Sequence, residues 1–295
     1  MSTWAVTSYF NLCRYAQRKR NYDQFRASLR LPLLAVELSF GGPFELGKGD
    51  ADILVQLDGG DPMWQKERLL NVAVASLPPE CDAVVLVDAD VVFEEPGWVP
   101  MLEEALGRYA LVQPFALAHR LERGADPASP SSWYGGVRRE GIAKRLGRGG
   151  DFRGFIGGVW AARRDLLEEH GLYDACIVGG GDQALVCGAW GDIDRVVGPM
   201  RMNEHQEHDY RRWAEPFSRA VGGRVGFVPG RVGLLWHGEL ANRRFIERHK
   251  NLAPYAFDPP RDISTGPQGA LVWSSPKPEM HRYVREYFAS RQEDG

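Results

Sequence analysis

The sequence predicts an α/β fold built on a mostly parallel central sheet covered on both faces. Three observations lead there. Short apolar runs alternate with segments of helical spacing. The runs are mostly apolar on consecutive residues rather than at every second residue, as in strands buried on both faces. At 295 residues, 44% hydrophobic and 25% charged, the chain is long enough to bury one large core or two closely packed subdomains.

Strands are expected at residues 4–10, 33–38, 53–57, 83–87 and 110–115, each a short, mostly apolar run. Helices are expected at 64–77 and at 98–106, where Trp98, Met101, Leu102, Ala105 and Leu106 recur at helical spacing. Residues 120–151 are rich in Gly, Ser, Pro and Arg, which predicts a long loop or mobile flap. A strand over 154–162 contains a Gly157-Gly158 close-approach point, and a short helix over 165–170 has Asp165 as its cap and Gly171 as its stop. Further elements follow at 182–189 (helix), 225–228 (strand) and 242–250 (helix), with a Trp-His-Gly corner at 236–238. The segment from Pro254 to Lys277 is Pro-rich, and 283–290 reads as a docking helix.

Bulk properties exclude some classes. A net charge of -3 argues against a chain that is basic all over. Cys13, Cys81, Cys176 and Cys187 form no C-x-x-C pair, so neither a zinc knuckle nor a disulfide framework is signalled and reduced thiols are expected. No run approaches about 18 apolar residues and the first residues lack a cationic start before an apolar stretch, so no membrane span and a cytoplasmic location are expected.

The sharpest chemical signal is Val84-Val85-Leu86-Val87-Asp88-Ala89-Asp90-Val91-Val92, a buried strand ending in two carboxylates one residue apart. Ligands of open α/β sheets bind outside the carboxyl ends of the strands. Two acids there repel each other and lose hydration, which a hard divalent cation relieves. The bland alternative is a pair of exposed acids at a loop.

Asp88-Ala89-Asp90 resembles the D-x-D motif of GT-A (Rossmann-like) glycosyltransferases, and three further segments extend the likeness. Trp64-Gln65-Lys66-Glu67-Arg68-Leu69-Leu70-Asn71 is similar to a helix of bacterial and viral members; Gly157-Gly158-Val159-Trp160-Ala161 with Gly179-Gly180-Gly181-Asp182 resembles the acceptor-side segment of inverting, galactosyltransferase-like members; and His237-Gly238 resembles their late metal-binding histidine. The resemblance implies a nucleotide-sugar-binding half over 1–118, a basic loop or insertion over 119–153, a smaller acceptor-side and metal-completing part over 154–250 and a C-terminal extension over 251–295.

By that resemblance Asp90 binds the metal, Asp88 touches the ribose or reaches the metal through water, and His237 is the third protein ligand. Imidazole beside carboxylate suits Mn²⁺ better than Mg²⁺. The donor is a UDP-sugar such as UDP-glucose, contacted by Thr7, Tyr9, Asn11, Glu37, Lys66 and Asp88. Gly157, Gly158, Trp160, Gly180 and Gly181 face the acceptor, a saccharide or other hydroxyl compound. Asp182 is the candidate general base of an inverting transfer; as the residue after three glycines it could equally be a helix N-cap. Where the family often has two consecutive acids, this chain has Asp182-Gln183.

Two basic clusters, Arg138, Arg139, Lys144, Arg145, Arg148 and Arg153, then Arg243, Arg244, Arg248 and Lys250, are read as solvated faces or as the site of a phosphate-bearing acceptor. They also motivate an alternative acceptor, hydroxymethylated pyrimidines of DNA. Glu204-His205-Gln206-Glu207-His208-Asp209 reads as a solvated polar helix rather than a metal site. Rival functions are a haloacid-dehalogenase-like phosphohydrolase with Asp88 as nucleophile and a non-catalytic sugar- or nucleotide-binding module.

Overall fold

The computed structural model describes residues 1–133, 137–147 and 149–295. Its strands are β1 (Thr3–Phe10), β2 (Leu33–Ser39), β3 (Ile53–Asp58), β4 (Ala83–Val87), β5 (Val91–Phe93), β6 (Leu111–Gln113), β7 (Leu117–Arg120), β8 (Val137–Glu140), β9 (Val159–Arg163), β10 (Val225–Phe227), β11 (Arg231–Leu234), β12 (Ile263–Thr265) and β13 (Leu271–Trp273). Its helices are α1 (Ala16–Ser28), α2 (Lys66–Ala75), α3 (Trp98–Leu106), α4 (Ile142–Leu146), α5 (Arg164–His170), α6 (Gly181–Trp190), α7 (Asp194–Val197), α8 (Glu204–Val221), α9 (Glu247–Leu252), α10 (Pro259–Asp262) and α11 (Pro278–Ala289).

Seven strands form a sheet in the order β10-β6-β9-β4-β1-β2-β3, parallel except for β9, which runs antiparallel to both neighbours. From β1 the chain winds outward through β2 and β3, then returns to place β4 on the other side of β1. The β1/β4 boundary is therefore a topological switch point, where connections diverge and leave a crevice at the carboxyl ends. A second sheet of four strands, β5-β11-β7-β8, continues from it, and β12 with β13 makes a small hairpin.

Side chains alternate across the large sheet because successive Cβ atoms point to opposite faces. Val6, Leu34, Val36, Val84, Leu86 and Trp160 join one core with Leu69 of α2, Leu167 of α5, Leu185 of α6, Phe217 of α8 and Phe288 of α11. Their neighbours Ala5, Leu33, Ala35, Val85, Val87 and Val159 join the other with Tyr22 and Phe25 of α1, Trp98 and Leu102 of α3 and Val232 of the second sheet. Helices thus cover both faces of a mixed α/β structure.

The expected strands and helices of the first half are present within a few residues. Helix α1 was not expected from the sequence. Its AQRKRNYDQFRAS run exposes mostly polar residues and buries only Asn21, Tyr22 and Phe25, too narrow an apolar stripe for periodicity to register. The expected loop over 120–151 contains structure: β8 pairs with β7, and Trp133 is buried with Val92, Leu121 and Leu235. His119 Nδ1 lies 2.8 Å from the Trp133 carbonyl oxygen, which ties the segment to β7. Asp165 is not the cap of α5: Arg163 holds that position, while Gly171 at φ +60° does end the helix. The 204–209 cluster opens α8, whose Asn203 and Gln206 form a capping box. All four cysteines are free thiols.

Candidate active site

Strand β4 ends at Val87, and the Asp88 N–H extends its ladder by one bond to the Gly158 carbonyl (2.8 Å). The chain then leaves the large sheet and enters the second one as β5, with the Leu235 N–H donating to the Asp90 carbonyl (2.8 Å). Asp88-Ala89-Asp90 thus spans the gap between the two sheets at the switch point.

Three segments bring partners to it. Helix α2 starts at Lys66 because Gln65, fully buried, exchanges two hydrogen bonds with the Leu271 backbone of β13 (2.8 and 2.9 Å). Lys66 Nζ lies 2.6 Å from Asp88 Oδ1 and 2.9 and 3.1 Å from the two oxygens of Asp182. Asp182 is the second residue of α6, whose cap is Gly180, so its carboxylate is committed to Lys66 and not to capping. The corner after β11 delivers His237, whose Nε2 is 2.9 Å from Asp90 Oδ2.

The glycines around Asp182 are there for clearance. Gly179 and Gly180 have φ of +86° and +111°, a region open to Gly. A Cβ on Gly181 would overlap the Glu67 carboxyl, and one on Gly157 would sit 3.1 Å from Asp182 Oδ2. Gly157 therefore sets no side chain against that oxygen, which Lys66 reaches at 3.1 Å.

Charge in the site is divided unevenly. Burial, only partly offset by Lys66 and reinforced by Asp182 and Asp90, pushes the Asp88 carboxyl up to about 7. Burial likewise pushes Glu67 up to about 8 despite Lys66, so it stays protonated near neutrality. For Lys66 burial pulls the other way, yet Asp182, Asp88 and Glu67 hold it well above the ordinary lysine value. For Asp90 burial is outweighed by His237, Arg243 and Arg18, which lower it to about 2. Burial first and Arg243 second hold His237 below its usual range against the pull of Asp90, so a neutral ring faces an ionised Asp90.

His237 Nε2 also contacts Arg243 Nη2. One ring nitrogen cannot donate to a carboxylate and accept from a guanidinium at the same time. A cation shared by Asp90 and the imidazole lone pair removes that conflict. The 2.9 Å between His237 Nε2 and Asp90 Oδ2 is about the spacing that two adjacent ligands would have on a six-coordinate ion with bonds of ~2.1 Å. Asp88 does not converge with them, being turned to Lys66, and among the described residues no group of three His, Cys, Asp or Glu side chains forms a metal-binding set.

The other expected contacts divide. Tyr9, Asn11 and Glu37 line a polar cleft beside the site, closed by Glu45. Tyr9 Oη donates to Glu45 Oε2 (2.5 Å), Asn11 Nδ2 approaches both Glu45 oxygens (3.1 and 3.0 Å), and Arg14 pairs with Glu45 at 2.9 Å. Glu37 is itself spent on structure, accepting from the backbone N–H of Glu45 and from Gln56 Nε2. Thr7 is fully buried and donates to the Val87 carbonyl (2.7 Å), so it locks β1 to the end of β4 rather than meeting a nucleotide. Trp160 is 1% exposed, its indole N–H donating to Ile156 O, so it supports the site from the core instead of facing an acceptor.

Sequence reading missed the Lys66 bridge to Asp182, the neutral Glu67, and a cluster from the last residues: Glu293, 1% exposed, pairs with Arg18 and Arg291, each at 2.5 Å. In the first basic cluster Lys144, Arg145 and Arg153 are neutralised by Glu140 and Asp151, while Arg148 lies outside the described residues. Among the described residues no helix is long and apolar enough to cross a membrane.

No protein-family model matches the chain, and no curated protein matches it. Solved structures similar to it include glucosyl-3-phosphoglycerate synthase from Mycobacterium tuberculosis with Mn²⁺, UDP and phosphoglyceric acid, at 14% identity and a TM-score of 0.45, covering 86% of this chain and 76% of that one. S. aureus TarS 1-349 with UDP-GlcNAc is similar at 13% identity and a TM-score of 0.37, covering 62% and 52%. A Drosophila β1,4-galactosyltransferase 7 mutant with manganese, UDP-Gal and xylobiose is similar at 12% identity and a TM-score of 0.32, covering 62% and 59%. This chain thus spans about half the length of the TarS chain.

Proposed function

We propose that this protein is a metal-dependent hexosyltransferase of the GT-A type, moving a sugar from a UDP-linked donor to an acceptor hydroxyl with inversion. The observation that carries the reading is the meeting of Asp90 and His237, from opposite halves of the chain, at the switch-point crevice, with Asp182 held separately beside it. Asp90 and His237 would hold the ion, Asp88 the ribose side of the donor, and Tyr9 and Asn11 the nucleoside. Mn²⁺ bound there would supply Lewis-acid neutralisation of the charge that develops on the departing nucleoside diphosphate. Asp182 takes the proton of the acceptor hydroxyl as that oxygen attacks the anomeric carbon and the bond to the diphosphate oxygen breaks. Lys66 stays protonated, orients both Asp182 oxygens and keeps Asp88 and Asp182 from repelling each other.

The test is a donor screen by thermal unfolding with UDP-, GDP- and TDP-sugars, with and without Mn²⁺. A ligand that binds only the folded state raises the midpoint, and the reading expects the largest rise for a UDP-sugar with Mn²⁺. Equal midpoints with all donors would refute it. Asp182→Asn is expected to keep the donor-dependent rise and lose turnover by about 10²- to 10⁴-fold.

A further inference from the structure

Arg248 is 8% exposed, and no carboxylate among the described residues pairs with it. Its Nη1 donates to Tyr287 Oη at 2.9 Å, and its Nε lies 3.4 Å from His249 Nε2. His249 brings no charge, because burial first and Arg248 second push it down to about 3. A guanidinium does not deprotonate in proteins, and a buried charge without a counter-ion is costly. Its position indicates what it is kept for. Arg248 Nη1 would be 3.2 Å from a Cβ on Gly179, so only the missing side chain lets the guanidinium pack against the Gly179–Gly181 turn that leads to Asp182. The ring of Phe245, 53% exposed, lies 5.3 Å from the guanidinium and flanks it.

We propose that the acceptor carries an anionic oxygen group, a phosphate or carboxylate, which Arg248 binds beside the Gly179–Gly181 turn while the acceptor hydroxyl lies at Asp182. This rests on the glycosyltransferase reading for the hydroxyl, and on Arg248 alone for the anion. The planar fork of the guanidinium matches either oxyanion with two parallel hydrogen bonds. The donor's own diphosphate is the competing source of the same chemistry, and the experiment separates the two.

The full chain, saturated with UDP and Mn²⁺, is titrated with glycerol phosphate, inorganic phosphate and lactate in a calorimeter. The expected result is binding of at least one of these on top of UDP, weakened about tenfold or more in Arg248→Gln and less in Arg248→Lys, with Arg244→Gln, a matched loss of one exposed charge, left at the wild-type value. Anions that displace UDP, bind Arg248→Gln as well as wild type, or fail to bind the wild type overturn the proposal. Should Arg248→Gln not fold, the Lys variant and the competition arm still decide. Anion binding that depends on Arg248 in a chain that takes no UDP-sugar would keep this site and sink the glycosyltransferase reading.

Discussion

Lys66→Met tests the bridge between the two carboxylates. The methionine fills nearly the same volume and removes the ammonium that lies 2.6 Å from Asp88 and 2.9 Å from Asp182. Removing one partner of a buried ion pair costs about 3–5 kcal/mol. Here the two carboxylate side chains are 32% and 33% exposed, so screening by solvent lowers the expectation to about 2 kcal/mol at pH 8. The loss depends on pH in a defined direction. Asp88 is an acid whose folded value, about 7, lies above its ordinary 3.8, so its contribution to stability is complete below about 3.8 and is lost as pH rises through about 7. Lys66 limits that loss by compensating the ionised form. Without it the carboxylates keep their protons longer and the penalty deepens, so the gap between wild type and variant widens from pH 6 to pH 8, by at most ~1.4 kcal/mol per pH unit for each carboxylate. Urea unfolding in the presence of a chelator, at pH 5.5, 7 and 8.5, measures the gap directly. A gap that is constant with pH, or a variant as stable as wild type at pH 8.5, would refute the bridge.

Two other perturbations probe the surroundings. Gly181→Ala places a methyl against the Glu67 carboxyl and is expected to destabilise by about 1–3 kcal/mol in thermal or urea unfolding; an unchanged midpoint would show the contact to be slack. Glu293→Gln leaves Arg18 and Arg291 without their shared carboxylate, at an expected cost of about 3–5 kcal/mol at pH 7. Although burial pushes Glu293 up, Arg18 and Arg291 outweigh it and hold it well below the ordinary value, so its stabilisation is present above pH ~4.5 and lost as pH falls through the folded value. The variant's acid-unfolding curve is therefore expected to be flatter than that of wild type below pH 4.5.

The strands of the first half were legible because burial on both faces favours consecutive apolar residues, as in 84–87, and 33–38 departs from that only at Glu37. The D-x-D pair was legible for a related reason: acids directly after such a run have to lie at the sheet's rim. The His237–Asp90 contact was anticipated only through resemblance, since no local pattern links residues so far apart in the chain. Lys66–Asp182 and Arg18–Glu293 were invisible for the same reason, each being fixed by where a helix start or a terminal turn docks. Thr7 and Trp160 were misplaced because position along a strand specifies the edge it reaches but not the face, and one residue of register turns a side chain from ligand to core. The segment over 120–151 was misread because its β-strand is four residues long and exposed, so composition outweighed pattern.

The central claim is that Asp90 and His237 hold one divalent cation for a nucleoside diphosphate. Electron paramagnetic resonance of free Mn²⁺, titrated into the full chain with UDP present, tests it most directly. The account predicts one tight Mn²⁺ per wild-type chain and its loss in both Asp90→Asn and His237→Ala. Equal Mn²⁺ uptake by wild type and the two variants would contradict it.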